Sequence, residues 1–265
     1  MIERLNFYDL YGYLIPGAVL IGVIWLPFAV AFGWYPPADF GGAVLALIGA
    51  YVAGHILQAI ATNVVPSTVD GQYPSVRMLD DDDETFTPAF KKLLADRITA
   101  KFGVDVKTQR EARDVAFLQC RAALIASKAA AYVEQFQGMY VLMRGIAASA
   151  AIGCAFTLGW LWSPFLDRCL ASIAAMTVVT SAALLAVIWR HRIPKKGDER
   201  YVYIALILAG VAAGGSLAAM HGYRAQSPLS AAAILELLSA LWAFGAYRAF
   251  GQKFAATVYR DFMSL

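Results

Sequence analysis

Charged side chains are scarce. Asp, Glu, Lys and Arg make up 15% of the 265 residues, against roughly a quarter in an average soluble chain. With 60% apolar residues and a mean hydropathy of +0.57, that scarcity excludes an ordinary water-soluble domain. Cysteine and histidine are sparse too, three of each. Cys120, Cys154 and Cys169 stand far apart, as do His55, His191 and His221, so neither a metal-ligand spacing nor a disulfide framework is present. No nucleophile with a neighbouring base, no Gly-rich phosphate loop and no zinc signature can be assembled. The chain is expected to be non-enzymatic and to need no cofactor or metal.

Long apolar runs are what the sequence does have. Windows of about 19 residues pick out Leu14 to Gly33, Gly42 to Thr62, Met139 to Trp162, Ala171 to Trp189, Tyr201 to Met220 and Ala231 to Phe250. Each is long enough for a hydrocarbon layer of roughly 30 Å. The expected fold is all-α, a polytopic membrane helix bundle of about six spans. The fifth run is mostly Ala and Gly, which leaves a re-entrant segment open as an alternative. Trp34, Tyr35, Trp160, Trp162, Trp189, Tyr201 and Tyr203 sit at the ends of these runs, where amphipathic rings prefer the headgroup level. Ala29-Val30-Ala31 mimics a signal-peptide cleavage site, but Glu3 and Asp9 against a lone Arg4 favour an uncleaved first helix.

Orientation follows from Lys and Arg, which are retained on the cytoplasmic side of short loops. Taking alternate segments from the N-terminus, nineteen basic residues fall on one side and two, Arg168 and Arg224, on the other, with Arg144 left inside a span. Both termini are therefore expected in the cytoplasm. The division that follows is 1–65 for an N-terminal segment and spans 1 and 2, 66–138 for a cytoplasmic helical hairpin, and 139–265 for spans 3 to 6 and a cytoplasmic tail.

The 66–138 insertion carries ten basic and eleven acidic residues. Nucleic-acid binding needs a basic footprint, and none is present. Thr87-Pro88 reads as a helix start and Gly103 as its stop, with Phe90, Leu93, Leu94, Ile98 and Phe102 on one face. A second helix is expected to begin near Thr108, with Glu111 completing a capping box. No Pro or Gly follows until Gly138, so this helix is predicted to run on into the third span as one rod of roughly 80 Å, at 1.5 Å per residue. Val115, Leu118, Ala122, Ile125, Ala129, Tyr132, Phe136 and Met139 repeat at heptad spacing along it. Such a stripe packs either onto the 87–103 helix of the same subunit or onto copies of itself in an oligomer. The acidic run Asp80, Asp81, Asp82, Asp83 and Glu84 lacks the alternating ligands of a calcium loop. It reads as a solvated loop placing negative charge before a helix N-terminus, or as a docking site for a basic partner or a divalent ion.

Ionisable groups inside spans mark internal pairs or pathways. Arg144 lies about one turn inside the third span, free to snorkel or to pair with Asp9 or Glu134. Glu236 and His221 share the outer side of the last hairpin, and His55 and Gln58 sit in the inner half of the second span, where an interhelical hydrogen bond is expected. Gly210 and Gly214 in the fifth span, and Gly145, Ser149 and Gly153 in the third, suit close helix approach within a bundle or between subunits.

The opening Asn6-Phe7-Tyr8-Asp9-Leu10-Tyr11-Gly12-Tyr13-Leu14-Ile15-Pro16-Gly17 resembles that of a group of poorly characterised bacterial inner-membrane proteins with an FYDLxGYLxPG start. Tyr73-Pro74-Ser75 through the acidic run to Phe102-Gly103, and Tyr140 to Arg144, look similar to that group as well. The resemblance implies a location in the bacterial inner membrane. Small multi-pass proteins of this appearance look like membrane components of anti-phage defence systems, in which an oligomer permeabilises the membrane once a cytoplasmic sensor fires. The matching positions are Asp9, Arg144 and the 66–138 module. Three readings stand: a homo-oligomeric membrane protein that receives a cytoplasmic partner or signal, a small-solute transporter or channel subunit using Glu236, His221, His55 and Arg144, and a membrane scaffold for a soluble partner.

Overall fold

A computed structural model describes residues 7–35, 39–65, 72–107, 111–162 and 227–265. Its described residues form helices and no strands. A turn of helix at Phe7–Asp9 and a π-helical turn at Leu10–Leu14 lead into α1, Ile15–Phe32. Then come α2 Phe40–Val64, the short α3 Pro74–Arg77, α4 Pro88–Phe102, α5 Ala112–Ala126, α6 Ala131–Trp162 and α7 Ser227–Ser264. The termination signals in the sequence are used. Gly33 and Gly103 close α1 and α4 in the left-handed conformation, at φ 66° and 70°, which glycine adopts without a Cβ penalty. Asp39 caps α2 by accepting from the Gly42 amide at 2.7 Å, and Thr87 caps α4 by accepting from Phe90 at 3.3 Å.

Four of these segments, Leu10–Phe32, Phe40–Asn63, Ala131–Leu161 and Pro228–Ser264, are long and apolar enough to cross a membrane. The outward face of α2 makes the same point, with Leu45 71% and Ile56 58% exposed although both are apolar. A helix apolar all round belongs in lipid or in a large core. The expected fourth and fifth spans, with Gly210, Gly214 and His221, lie outside the described residues.

The chain divides into two units: Met1–Val65 with Leu142–Phe244, and Pro66–Val141 with Gly245–Leu265. Both divisions fall inside long helices, so α6 and α7 each contribute a stretch to both units. The C-terminal stretch, grouped with the last spans on sequence grounds, packs with residues 66–141. At 1.5 Å per residue a helix of 38 residues is far longer than a bilayer core of roughly 30 Å, which leaves a long part of it for other packing.

In the second unit, Leu94 and Ile98 of α4, Ala116, Cys120 and Leu124 of α5, Val133 of α6 and Val258, Tyr259 and Phe262 of α7 share one core. The Tyr259 hydroxyl, fully buried, donates to the Ser75 carbonyl at 2.9 Å. Here the structure overturns two expectations. The rod is broken: α5 ends at Ala126 and α6 starts at Ala131. Ala129 N donates back to Leu124 O and Lys128 N to Ile125 O, the closure of a Schellman motif, and Lys128 takes the left-handed position at φ 58°. That motif usually ends on glycine, so nothing in the composition of Ser127-Lys128-Ala129-Ala130 signals it. The heptad stripe, in turn, does not pack onto α4. Val115, Leu118 and Ile125 are 51%, 58% and 47% exposed, and Ala122 and Tyr132 are exposed as well. The inward face of α5 is Ala116, Phe117, Cys120 and Leu124, roughly half a turn round the helix at 100° per residue. On α4, Leu93 likewise faces outward, 60% exposed.

Candidate functional site

In the unit of α1, α2 and the 142–162 part of α6, helix approach is set by glycine. A Cβ on Gly17 would stand 1.8 Å from the Ala50 carbonyl oxygen, and one on Gly54 2.0 Å from that of Tyr13. Backbone meets backbone at both points. The expected Gly145, Ser149 and Gly153 ridge on α6 serves packing within this bundle. A Cβ on Gly145 would clash with Pro16 and with Gln58 Nε2, and one on Gly153 with Val23, each 2.6–2.8 Å away. The Ser149 hydroxyl donates to the Pro16 carbonyl at 3.0 Å.

That close approach creates a polar junction. Pro16 has no N–H to donate to the carbonyl one turn back, that of Gly12, and the preceding turn is π-helical, so this carbonyl takes its donor from elsewhere. Gln58 Nε2 donates to the Gly12 carbonyl at 2.8 Å, and Gln58 Oε1 accepts from Arg144 Nε at 3.1 Å and from a terminal guanidinium nitrogen at 2.9 Å. Gln58 is buried and Arg144 half-buried. Read separately in the sequence, Gln58 and Arg144 are one network, in which the arginine donates to the glutamine amide oxygen. Such a charge-assisted bond in apolar surroundings is of the stronger kind. His55 is held differently from expectation: it stacks on Tyr13 with ring centroids 3.8 Å apart and meets Tyr51 edge-on at 4.6 Å. Its ring contacts take the place of the expected interhelical hydrogen bond, and it faces outward.

Glu236 forms a second polar cluster. It is 7% exposed on α7, and neither carboxyl oxygen has a hydrogen-bond partner among the described residues. The Thr157 hydroxyl and the Trp160 indole nitrogen of α6 are also buried without partners among those residues. Thr157 and Cys154 face the glutamate. Buried polar groups are ordinarily satisfied; among the described residues Glu236, Thr157 and Trp160 form a buried polar patch on α6 and α7, with Thr157 close enough to act on the carboxyl. His221, the sequence-predicted partner, lies outside the described residues.

In the other unit the acidic run is split by its contacts. Asp80 pairs with Arg113, and Asp83 lies 3.7 Å from Arg77 while accepting from the Thr85 amide at 2.8 Å. Lys91 donates to the Asp80 and Asp83 carbonyls. Asp81, Asp82 and Glu84 remain exposed. Arg113 also holds the Val106 carbonyl at 2.9 Å, so Asp80 anchors the loop and α5 together. Cys120, buried beneath α5, has its thiol pushed up to about 12 by desolvation, which makes it inert. Among the described residues no group of His, Cys, Asp and Glu is placed to hold a metal ion.

The sequence reading missed Gly12, Gly17 and Gly54. Two of them belong to the opening motif, and their signal was there in the Gly12 and Pro16-Gly17 positions of an otherwise apolar helix start. Comparison with protein-family models, with curated proteins and with solved structures gave no match for this chain.

Proposed function

We propose that this is a non-enzymatic, oligomeric protein of the bacterial inner membrane, whose cytoplasmic helical unit receives a partner or signal and whose transmembrane bundle responds by altering permeability. The observation that carries the reading is that α6 and α7 run without a break from one unit into the other. A packing change around Tyr259 or Val133 then has a continuous helix through which to reach Arg144 or Glu236. Charge placement supports six crossings with both termini inside: nineteen basic residues against two. The resemblance of the opening motif adds the bacterial inner membrane and a role in anti-phage defence. The test is the mass of the detergent-extracted complex together with membrane potential on overexpression. A multimer and a depolarised membrane are the expected results, whereas a monomer with an unchanged potential refutes the reading.

A second reading, a small-solute transporter or channel subunit, is favoured by the buried polar patch of Glu236, Thr157 and Trp160 among the described residues. On that reading Glu236→Gln abolishes solute or proton flux in reconstituted vesicles, and unimpaired flux places the pathway elsewhere.

A further inference from the structure

The helix α5 is apolar on two opposite sides. Its inner side is consumed by the core through Ala116, Phe117, Cys120 and Leu124. Its outer side, Val115, Leu118, Ala122 and Ile125, is left exposed by the described residues. We infer that this outer side is a self-pairing surface on which α5 of a second copy lies antiparallel, about a two-fold axis passing midway between Leu118 and Ala122.

Three features single out that occupant. The 3-4-3 spacing of the four residues reads the same in both directions, so a two-fold axis at its centre sets Val115 against Ile125 and Leu118 against Ala122, a large side chain over a small one at the middle. A parallel pair in register sets Leu118 on Leu118 and Ala122 on Ala122, one layer crowded and the next hollow, which close packing penalises. Charge points the same way. Exposed Glu111 opens the stripe and exposed Lys128 closes it, and neither has an ion-pair partner among the described residues. Antiparallel copies bring Glu111 beside Lys128 at both ends, while parallel copies bring like charges together. A lipid surface is a poorer match, because interfacial helices carry Lys and Arg along their polar margins, whereas the margins here are of mixed sign, Glu111 and Asp114 with Arg121 and Lys128. Isologous contacts of this kind are the commonest route to a symmetric dimer. Four side chains fall well short of the roughly 800 Å² per partner of a stable interface in water. The pairing therefore rests on the proposed oligomer, in which a shared membrane raises the effective concentration of the copies.

The test uses the full chain in native membranes, with Leu118→Cys and Ala122→Cys variants expressed singly and together, and mild oxidation as the readout. Cys120 and Cys154 are buried; Cys169, outside the described residues, is replaced by serine throughout, and the chain with that single change serves as background. Antiparallel pairing predicts a disulfide-linked dimer from the co-expressed variants and loss of that band from either one alone. Glu111→Lys and Lys128→Glu are each expected to weaken the band, and the double exchange to restore it. A strong band from Leu118→Cys alone overturns the inference in favour of parallel pairing. Absence of any band from a complex that is multimeric by mass overturns the inference and leaves the oligomer standing. A monomeric mass removes both.

Discussion

The hydroxyls of Tyr140 and Tyr247 lie 2.8 Å apart, and their rings stack with centroids separated by 4.5 Å. One residue belongs to α6 and the other to α7, 107 positions further on, so the two longest of the described helices are fastened at this level. Gly251, one turn beyond Tyr247, keeps the space clear: a Cβ there would meet the Tyr140 ring at 2.9 Å.

Tyr140→Phe is expected to lower stability by about 0.5–1.5 kcal/mol, the net worth of an ordinary hydrogen bond, because it removes this one from Tyr247. The double Tyr140→Phe, Tyr247→Phe change is expected to cost less than the sum of the two single changes, since both polar ends leave together. Thermal unfolding in detergent measures this. Strictly additive losses contradict it.

Gln58→Leu removes the donor to Gly12 and the acceptor for Arg144 in one step. A loss of about 1–3 kcal/mol is expected, since a half-buried guanidinium and the Gly12 carbonyl lose their partner together. Adding Arg144→Met is expected to recover part of it. An unchanged melting temperature for Gln58→Leu shows that the network carries no stability.

Gly17→Ala and Gly54→Ala place a methyl group inside a backbone carbonyl's contact distance, and both are expected to abolish the yield of monodisperse protein. Gly22→Ala, where a Cβ meets nothing within 4 Å, is expected to be neutral or to stabilise by roughly 0.5–1 kcal/mol through helix propensity. Equal yields for all three variants negate the proposed close approach of α1 and α2.

Burial holds the Cys120 thiol neutral across the physiological range, so a water-soluble maleimide at neutral pH is expected to leave it unmodified until the chain unfolds. The sign at high pH follows from the same shift. Between the ordinary thiol value of 9 and about 12 the unfolded chain releases this proton and the folded one keeps it, so stability falls as pH rises through that window. Cys120→Ala is expected to flatten that slope in alkaline unfolding curves. Rapid labelling of the native protein at Cys120 is incompatible with this placement.

What was readable in the sequence was whatever is encoded locally. Thr87, Pro88 and Gly103 delimit α4 because a cap, a fixed φ and a left-handed glycine act within one turn. The described spans follow from apolar length for the same reason. The face that α5 buries was not readable: the helix carries apolar residues on both sides, and the choice is made by Tyr259 and Phe262, more than a hundred residues away. The stop at Lys128 was hidden because a lysine occupies the position glycine normally marks. Arg144 and Gln58 were each conspicuous, but their union depends on how closely Gly145 lets α6 approach, a property of the assembled bundle.

The left-handed turn at Lys128 also has a mechanical meaning. A straight rod through residues 108–162 would act as a rigid lever, carrying any tug on its outer end directly into the lipid-embedded stretch. With an elbow in its place, a pull on α5 reaches Ala131–Trp162 only through the side-chain packing and the Arg121–Gln137 hydrogen bond that join the two helices.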